Sequence, residues 1–201
     1  GQSNMAGRAP MYAEDRIFIP NAYLFNADGQ WETAQAQYDG GSWKGMNRYS
    51  TVQKTGAQQG LSPAFYFAKV LAEQVGSEQR KIGIISNARG DTSLAQWQKD
   101  YTSVGSREDF DLYEQAVERA KAAMEKGTLK GIIWHQGCAD LGTDPVTYIS
   151  TFAEMVRDLR TDLGIADLPI IIGEIPGYGN SETTINNRMK FNRQCIAKLP
   201  D

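Results

Sequence analysis

From about residue 61 onward, the chain alternates between two hydrophobic patterns. In one pattern, apolar residues recur at steps of three and four, which predicts amphipathic helices; in the other, short β-branched runs end in loops, which predicts buried strands. The predicted helices are residues 61–76, 109–127, 144–164 and 181–200, and the predicted strands are 81–88, 129–137 and 168–176. Alternating strands and helices are typical of βαβ units, so the pattern predicts an α/β fold with a parallel sheet covered on both faces.

Residues at the ends of two predicted helices support these boundaries. Ser62 stands at the N-cap position before Pro63, and Gly76 follows the same helix. Asp144 is the expected cap of the third helix, and Gly164 its end.

The apolar face predicted for the second helix consists of Tyr113, Ala116, Val117, Ala120 and Met124. The face predicted for the third consists of Val146, Ile149, Phe152, Val156, Leu159 and Leu163.

Residues 8–60 show little sustained periodicity and are rich in Gly, Asn, Gln, Tyr and Trp. The sequence therefore predicts a long loop that carries Trp31, Tyr38, Trp43 and Tyr49. Long loops without secondary structure are uncommon in compact domains and are often functional where they occur.

Composition narrows the classes of function. A length of 201 residues suits one domain, and a net charge of −3 argues against a nucleic-acid partner, which would require clustered Lys and Arg. No apolar run approaches the roughly 20 residues of a membrane span. Cys138 and Cys195 match no metal-ligand spacing, and nothing in the sequence requires them to pair. The oligomeric state stays open.

Ligands of parallel α/β sheets bind beyond the carboxyl ends of the strands, which selects the loops "SNARGDTSLAQW", "HQGCADLG" and "GEIPGYG". The opening "GQSNMAGR" joins them if a strand precedes Gly1. Ser3 is then a candidate nucleophile, held out by a glycine-permitted turn. A polar turn residue is the alternative, because a serine hydroxyl needs a base and an oxyanion hole to react.

Two groups on the predicted rim could stabilise an oxyanion: the backbone N–H of Gly90 and the side-chain amide of Gln136. The alternative for Gly90 is an ordinary turn without a catalytic role. The alternative for Gln136 is a buried glutamine with a structural role. Asp140 and Glu174 could bind substrate, orient neighbours or simply be solvated. His135, the single histidine, should point away from Gln136 along a strand, so it is not assigned as the general base.

Three segments together, "GQSNMAGR", "NARGDTSLAQW" and "WHQGCAD", resemble the motif blocks of SGNH-type carbohydrate esterases, closest to the sialate O-acetylesterase and acetylxylan esterase group. The resemblance implies a three-layer α/β/α fold with a doubly wound parallel sheet. It also implies metal-free and cofactor-free hydrolysis of acetyl esters on carbohydrates, with a secreted or periplasmic location favoured. By the same resemblance, Ser3 is expected to take the nucleophile role, and Gly90 and Gln136 are expected to take oxyanion-hole roles together with the Ser3 N–H. Arg89, Asp91 and Asp140 contact substrate or brace the motif loops.

The chain departs from this family's pattern in four places. Asp91 stands where a second glycine is common, and Cys138 stands in the family's Gln-Gly-Glu-Ser-Asp block, here Gln-Gly-Cys-Ala-Asp. The family's strand before the serine and its Asp-x-x-His base beyond the last helix do not fall within residues 1–201. We therefore expect a single domain lacking these two parts, with little or no activity by itself.

Two alternatives remain at this point. A carbohydrate-binding pseudo-esterase could keep the pocket without the base and stack sugars on Trp31, Trp43 and Tyr49. A phosphate cradle at "GQSNMAGR" is disfavoured, because no lysine follows at P-loop spacing.

Overall fold

The computed structural model describes residues 1–53, 59–102 and 111–200. Its strands are β1 (Phe18–Phe25), β2 (Trp31–Gln35), β3 (Gln37–Tyr38), β4 (Trp43–Lys44), β5 (Ile82–Ile84), β6 (Ile132–Trp134) and β7 (Ile170–Ile172). Its α-helices are α1 (Ser3–Ala6), α2 (Pro63–Val75), α3 (Leu112–Met124), α4 (Pro145–Leu163) and α5 (Glu182–Gln194). Short 3-10 helices cover Ala13–Asp15, Met46–Tyr49, Leu94–Trp97 and Ile196–Lys198. The protein is therefore a mixed α/β structure. Within the described ranges, no helix is both long and apolar enough to cross a membrane.

The chain divides into two compact units, which are described separately. The first unit comprises residues 1–90 and 118–129, and the second comprises residues 91–117 and 130–201.

In the first unit, β1 lies between β2 and β5 in a three-stranded sheet. It pairs antiparallel with β2 and parallel with β5, with Ala22 opposite Ile82 and Leu24 opposite Ile84. Helix α2 packs against β1 and β5. The buried apolar residues of β1 and α2 include Ile19, Ala22, Leu24, Ala64, Phe65, Ala68 and Ala72.

The prediction of a long loop over residues 8–60 is wrong, because β1 to β4 lie within it; residues 54–58 of that range fall outside the described residues. Strand β1 contains Pro20 and Asn21, and Asn21 has a φ of 61°. The pairing register with β2 shifts between Phe18 and Tyr23. Such an irregularity interrupts the alternation of inward and outward side chains that identifies a strand in a sequence.

In the second unit, β6 and β7 pair in parallel, with Trp134 opposite Ile172. The strands predicted at residues 129–137 and 168–176 are confirmed, although each strand is only three residues long. Aromatic rings pack edge to face beside them: Trp97 lies 5.3 Å from Trp134, and Tyr148 lies 4.8 Å from Phe191. All four rings are buried.

The four predicted helices are confirmed, with changes at their ends and faces. The Asp144 side chain accepts a hydrogen bond from the Thr147 N–H at 3.0 Å, and Gly164 ends α4 in the left-handed region, both as predicted. The predicted face of α4 is only partly right, because Val146 is 74% exposed. The residues that α4 buries are Tyr148, Phe152, Met155, Leu159 and Leu163.

Two other helices are shorter than expected. Helix α3 begins at Leu112, whereas the predicted start at Asp109 and Phe110 lies outside the described residues. Helix α5 ends at Gln194, before the short 3-10 helix Ile196–Lys198. Ser62 occupies the N-cap position of α2 as predicted, but its hydroxyl makes no capping bond.

Candidate active site

Ser3 begins the single-turn helix α1 and is half-buried. The turn is closed by the Gly7 N–H, which donates to the Ser3 carbonyl at 3.0 Å, and Gly7 has a φ of 115°. The Gly7 carbonyl in turn accepts from the Gly60 N–H at 3.0 Å, and a Cβ at position 7 would collide with the Gly60 backbone. Only glycine fits this conformation and this contact, so Gly7 fixes the turn that presents Ser3.

The loop that follows β5 is held by a fully buried asparagine. The Asn47 side chain donates to the Ala88 carbonyl at 2.9 Å and accepts from the Ala88 N–H at 3.0 Å. The Ser86 hydroxyl also donates to it, at 2.9 Å. An amide side chain that makes three buried bonds to one loop fixes the backbone of that loop.

The segment 50–53 runs along the same loop toward Gly90. The Ser50 hydroxyl donates to the Ala88 carbonyl at 3.1 Å, and the Thr51 N–H donates to the Asn87 side-chain oxygen at 2.9 Å. The Gly90 N–H donates to Oε1 of Gln53 at 3.0 Å. The Gly90 amide is therefore bonded to a side chain of this segment.

Arg89 links this loop to the start of the chain. Its backbone N–H donates to the Gly1 carbonyl at 3.0 Å, and its guanidinium donates to the Val52 carbonyl. The loop that carries Gly90 therefore lies directly beside the backbone that precedes Ser3. The Arg89 side chain therefore helps to hold segment 50–53.

Asp91 is exposed and has a φ of 58°, in the left-handed region. Glycine adopts positive φ without steric cost, so a glycine would fit this backbone without strain. Aspartate is among the few other residues that tolerate it.

We expect an Asp91→Gly variant to be at least as stable as the wild type. An Asp91→Ala variant should unfold with a free energy about 1 kcal/mol lower than the glycine variant, because its Cβ strains the left-handed backbone. Urea unfolding of both variants measures the difference. Equal stability of the two variants would contradict a strained backbone at this position.

In the second unit, Gln136 is fully buried, and its side-chain amide is fully bonded. Its Nε2 donates to the Thr92 carbonyl at 3.2 Å and to the Asp140 carboxylate, and its Oε1 accepts from the Tyr148 hydroxyl at 3.1 Å. A carbonyl and a carboxylate only accept, so these two partners fix the orientation of the amide. Both of its N–H hydrogens are committed in this structure.

Asp140 is 6% exposed and acts as the acceptor at the centre of this network. Its Oδ2 accepts from the Leu94 N–H at 2.9 Å as well as from Gln136, and its Oδ1 accepts from the Thr143 hydroxyl at 3.3 Å. The Asp140 carboxylate therefore joins the segment after Asp91 to the loop after β6.

The loop after β6 turns at Gly137, which has a φ of 143°. A Cβ there would lie 2.6 Å from Cε1 of Phe191 and 2.7 Å from Cδ1 of Ile175, so the bare backbone packs against both side chains. Cys138 follows and is half-buried, and burial raises the pKa of its thiol. Cys138 and Cys195 are both free thiols.

His135 and Glu174 lie together after β6 and β7. The imidazole Nε2 donates to the Glu174 carbonyl at 3.1 Å, and the ring covers Gly173. Burial lowers the pKa of His135, so the ring is neutral at pH 7. These contacts agree with a structural histidine. The Glu174 residue is exposed.

The aromatic residues considered for sugar stacking have partners within the first unit. Trp31 packs against Phe25 with ring centroids 5.1 Å apart and covers Gly83. The Tyr49 hydroxyl donates to Glu32 at 3.0 Å. The Arg16 guanidinium lies 5.2 Å from the centroid of the Trp43 ring. Packing explains Trp31 and Tyr49 without a ligand.

Sequence reasoning missed three residues that shape these loops: Asn47, Gln53 and Tyr148. Asn47 and Gln53 bond partners 41 and 37 residues away, and Tyr148 bonds one 12 residues away. A pattern of local periodicity carries no signal for such pairs. For Tyr148, the helical pattern of α4 could have indicated burial but not the hydrogen-bond partner.

Comparisons with known proteins identify the family to which the chain is similar. The family model "SASA: Carbohydrate esterase, sialic acid-specific acetylesterase" matches residues 1–200. A curated Arabidopsis thaliana protein, "Probable carbohydrate esterase At4g34215", is 28% identical over 188 residues, which are 85% of this chain and 65% of that protein. The chain therefore spans slightly less than two thirds of the length of this curated relative.

Solved structures show the same likeness. The crystal structure of the Arabidopsis thaliana protein AT4G34215 has a TM-score of 0.71 at 25% identity, covering 94% of this chain and 76% of that one. NanS has a TM-score of 0.60 at 19% identity, covering 98% and 70%. XAC1771, a carbohydrate acetylesterase from Xanthomonas citri, has a TM-score of 0.54 at 21% identity, covering 97% and 47%. The last two likenesses concern the fold. Because the family model spans nearly the whole sequence, the chain belongs to the carbohydrate esterase family of sialic acid-specific acetylesterases.

Proposed function

We propose that this chain forms the catalytic region of a serine esterase that removes O-acetyl groups from carbohydrates. The observation that carries the proposal is the hydrogen bond from the Arg89 N–H to the Gly1 carbonyl. This bond sets the Gly90 loop beside the turn that presents Ser3. Acyl transfer needs a nucleophile and an oxyanion donor near each other, and this bond supports that arrangement. Family membership favours this enzyme over a carbohydrate-binding protein without catalysis.

In the proposed reaction, Oγ of Ser3 attacks the carbonyl carbon of the acetyl ester. The bond between that carbon and the sugar oxygen breaks, and the sugar leaves as an alcohol after it gains a proton. Water then attacks the acetyl-serine, which releases acetate and restores the Ser3 hydroxyl. In the family pattern, the proton is carried by a histidine of an Asp-x-x-His motif. His135 is not proposed for this role, because its Nε2 is held by the Glu174 carbonyl.

The negative charge that develops on the carbonyl oxygen requires preorganised donors. We assign this role to the N–H groups of Ser3 and Gly90 and to the side-chain amide of Gln136. To donate to an oxyanion, the Gln136 amide has to give up one of its two existing hydrogen bonds. The bond to the Thr92 carbonyl, at 3.2 Å, is the longer and weaker of the two, so we expect this bond to break. The proposed domain is a three-layer α/β/α sandwich with a doubly wound parallel sheet.

The proposed substrates are O-acetylated sugars of the acetylxylan or sialic acid type. The residues proposed to contact the sugar or to brace its site lie on loops that follow three strands. Arg89 and Asp91 follow β5, Asp140 follows β6, and Glu174 follows β7. Arg89 and Asp140 support these loops through the bonds described above, whereas Asp91 and Glu174 are exposed and remain proposed contacts for the sugar.

Trapping of the acetyl-enzyme tests this proposal directly. The full-length natural protein is mixed with an aryl acetate, quenched in acid within the first turnovers and digested for mass spectrometry. We expect one acetyl group on the peptide that contains Ser3, and release of acetate from O-acetylated xylan or O-acetylated sialic acid. Turnover without acetyl on Ser3, or with acetyl on another residue, would refute Ser3 as the nucleophile.

A further inference from the structure

The Gly90 amide does not face an open position, because Oε1 of Gln53 accepts its hydrogen at 3.0 Å. Oxyanion-hole donors lie about 2.7–3.1 Å from the oxygen that they stabilise. The Gln53 oxygen therefore stands at the distance from Gly90 that the substrate oxygen would take. A backbone N–H carries one hydrogen, so it cannot bond fully to both oxygens at once.

We propose that the Gln53 side chain is an internal competitor for the oxyanion donor of Gly90, and that substrate must displace it to bind. This inference rests on the proposed function, because it needs Gly90 to be an oxyanion donor. It concerns a residue that none of the three motif segments contains. The ligand chemistry is that of an ester carbonyl oxygen, which replaces the amide carbonyl oxygen of Gln53.

The backbone around Gln53 is bonded separately from the side chain that accepts from Gly90. The Gln53 backbone N–H donates to the Ser50 hydroxyl at 3.2 Å, and Ser50 is itself bonded to the Ala88 carbonyl. The preceding carbonyl, of Val52, accepts from the Arg89 guanidinium. The bond from Gly90, in contrast, ends on a side chain with three rotatable bonds. A change of rotamer therefore moves Oε1 away from the Gly90 N–H without breaking these backbone bonds.

This competition predicts a specific kinetic pattern. When only a fraction of the enzyme has an available donor, the apparent dissociation constant rises by the inverse of that fraction. Once substrate has displaced Gln53, the chemical step no longer involves it. Removing the competing oxygen should therefore lower KM and leave kcat nearly unchanged. A merely structural role for Gln53 predicts the opposite, a loss of kcat from a loosened loop.

Three variants of the full-length protein test this pattern with an aryl acetate as substrate. Gln53→Met keeps the length of the side chain but cannot accept the bond, and we expect KM to fall about two- to tenfold with kcat within about twofold of wild type. Gln53→Glu gives the competing acceptor a negative charge, which strengthens its bond to the Gly90 N–H, so KM should rise. Gln194→Met, at an exposed position of α5, is the matched control and should change neither constant.

Binding of a small alkyl boronic acid gives a second readout, because its tetrahedral adduct with a serine mimics the oxyanion. We expect Gln53→Met to bind the boronic acid more tightly by the same factor. The proposal is overturned if Gln53→Met shows an unchanged or raised KM and no tighter boronate binding while Ser3→Ala is inactive. If Ser3→Ala keeps its activity, the proposed function itself has failed.

Should Gln53→Met not fold, the wild-type protein still decides the matter. In a ¹⁵N-labelled sample, boronate should shift the resonances of both the Gly90 amide and the Gln53 side-chain amide. A boronate adduct that leaves the Gln53 side-chain resonances in place would contradict displacement.

Discussion

Ser3→Ala is expected to lower kcat of the full-length protein toward an aryl acetate by at least about 10³-fold, while its stability stays within about 0.5 kcal/mol of wild type. The variant lacks the oxygen that forms the acetyl-enzyme, whereas the turn of α1 depends on backbone bonds that alanine keeps. Ser3 makes no capping bond through its side chain in this turn, because Gln2 occupies the N-cap position. Initial rates over a range of substrate concentrations, together with a urea unfolding curve, provide both measurements.

Ser150→Ala is the matched control for this variant. Ser150 is exposed on α4, and its hydroxyl donates to the Thr147 carbonyl at 3.0 Å within the same helix. The control should retain wild-type kcat and KM. If Ser3→Ala kept more than a few per cent of the wild-type rate, direct attack by water would have to replace the acetyl-serine route.

Asp140→Ala is expected to lower the free energy of unfolding by about 3 kcal/mol or more, because it leaves buried donors without an acceptor. The Leu94 N–H and the Gln136 amide both donate to Oδ2 of Asp140, and Leu94 is 1% exposed. Urea or thermal unfolding, monitored by tryptophan fluorescence, measures the loss in free energy of unfolding.

Asp140→Asn separates the loss of the acceptor from the loss of the charge. Asparagine can present its oxygen to Leu94 and Gln136, and its Nδ2 can donate to the Thr143 hydroxyl, which both donates and accepts. We expect this variant to stay within about 1 kcal/mol of wild type. Equal destabilisation by Asn and Ala would mean that the negative charge, and not the pattern of acceptors, holds the loops.

The positions of the regular helices could be predicted from the sequence because their signals are local. The caps Asp144 and Gly164 act within one turn of the helix, and the steps of three and four along α4 follow from helix geometry. Which face of α4 packs against its neighbours was harder to predict from the sequence. Val146 fits the apolar stripe but is exposed, since only packing decides which edge of the stripe is covered.

The hairpin strands of residues 8–60 could not be predicted, because β1 combines a proline, a positive-φ asparagine and a shifted register. Its pairing with β5 joins residues about 60 positions apart, such as Ala22 and Ile82. Strand pairing of this kind depends on partners that no local window contains.

By itself, the sequence determined the helices, the short buried strands and the motif segments around Ser3, Gly90 and Gln136, because each is written in neighbouring residues. Only the tertiary structure decided what those site groups bond to. It placed Gln53 on the Gly90 amide and committed the Gln136 amide to Asp140 and Thr92. Hydrogen-bond partners in a folded protein are set by distances between segments, and those distances exist only once the chain has packed.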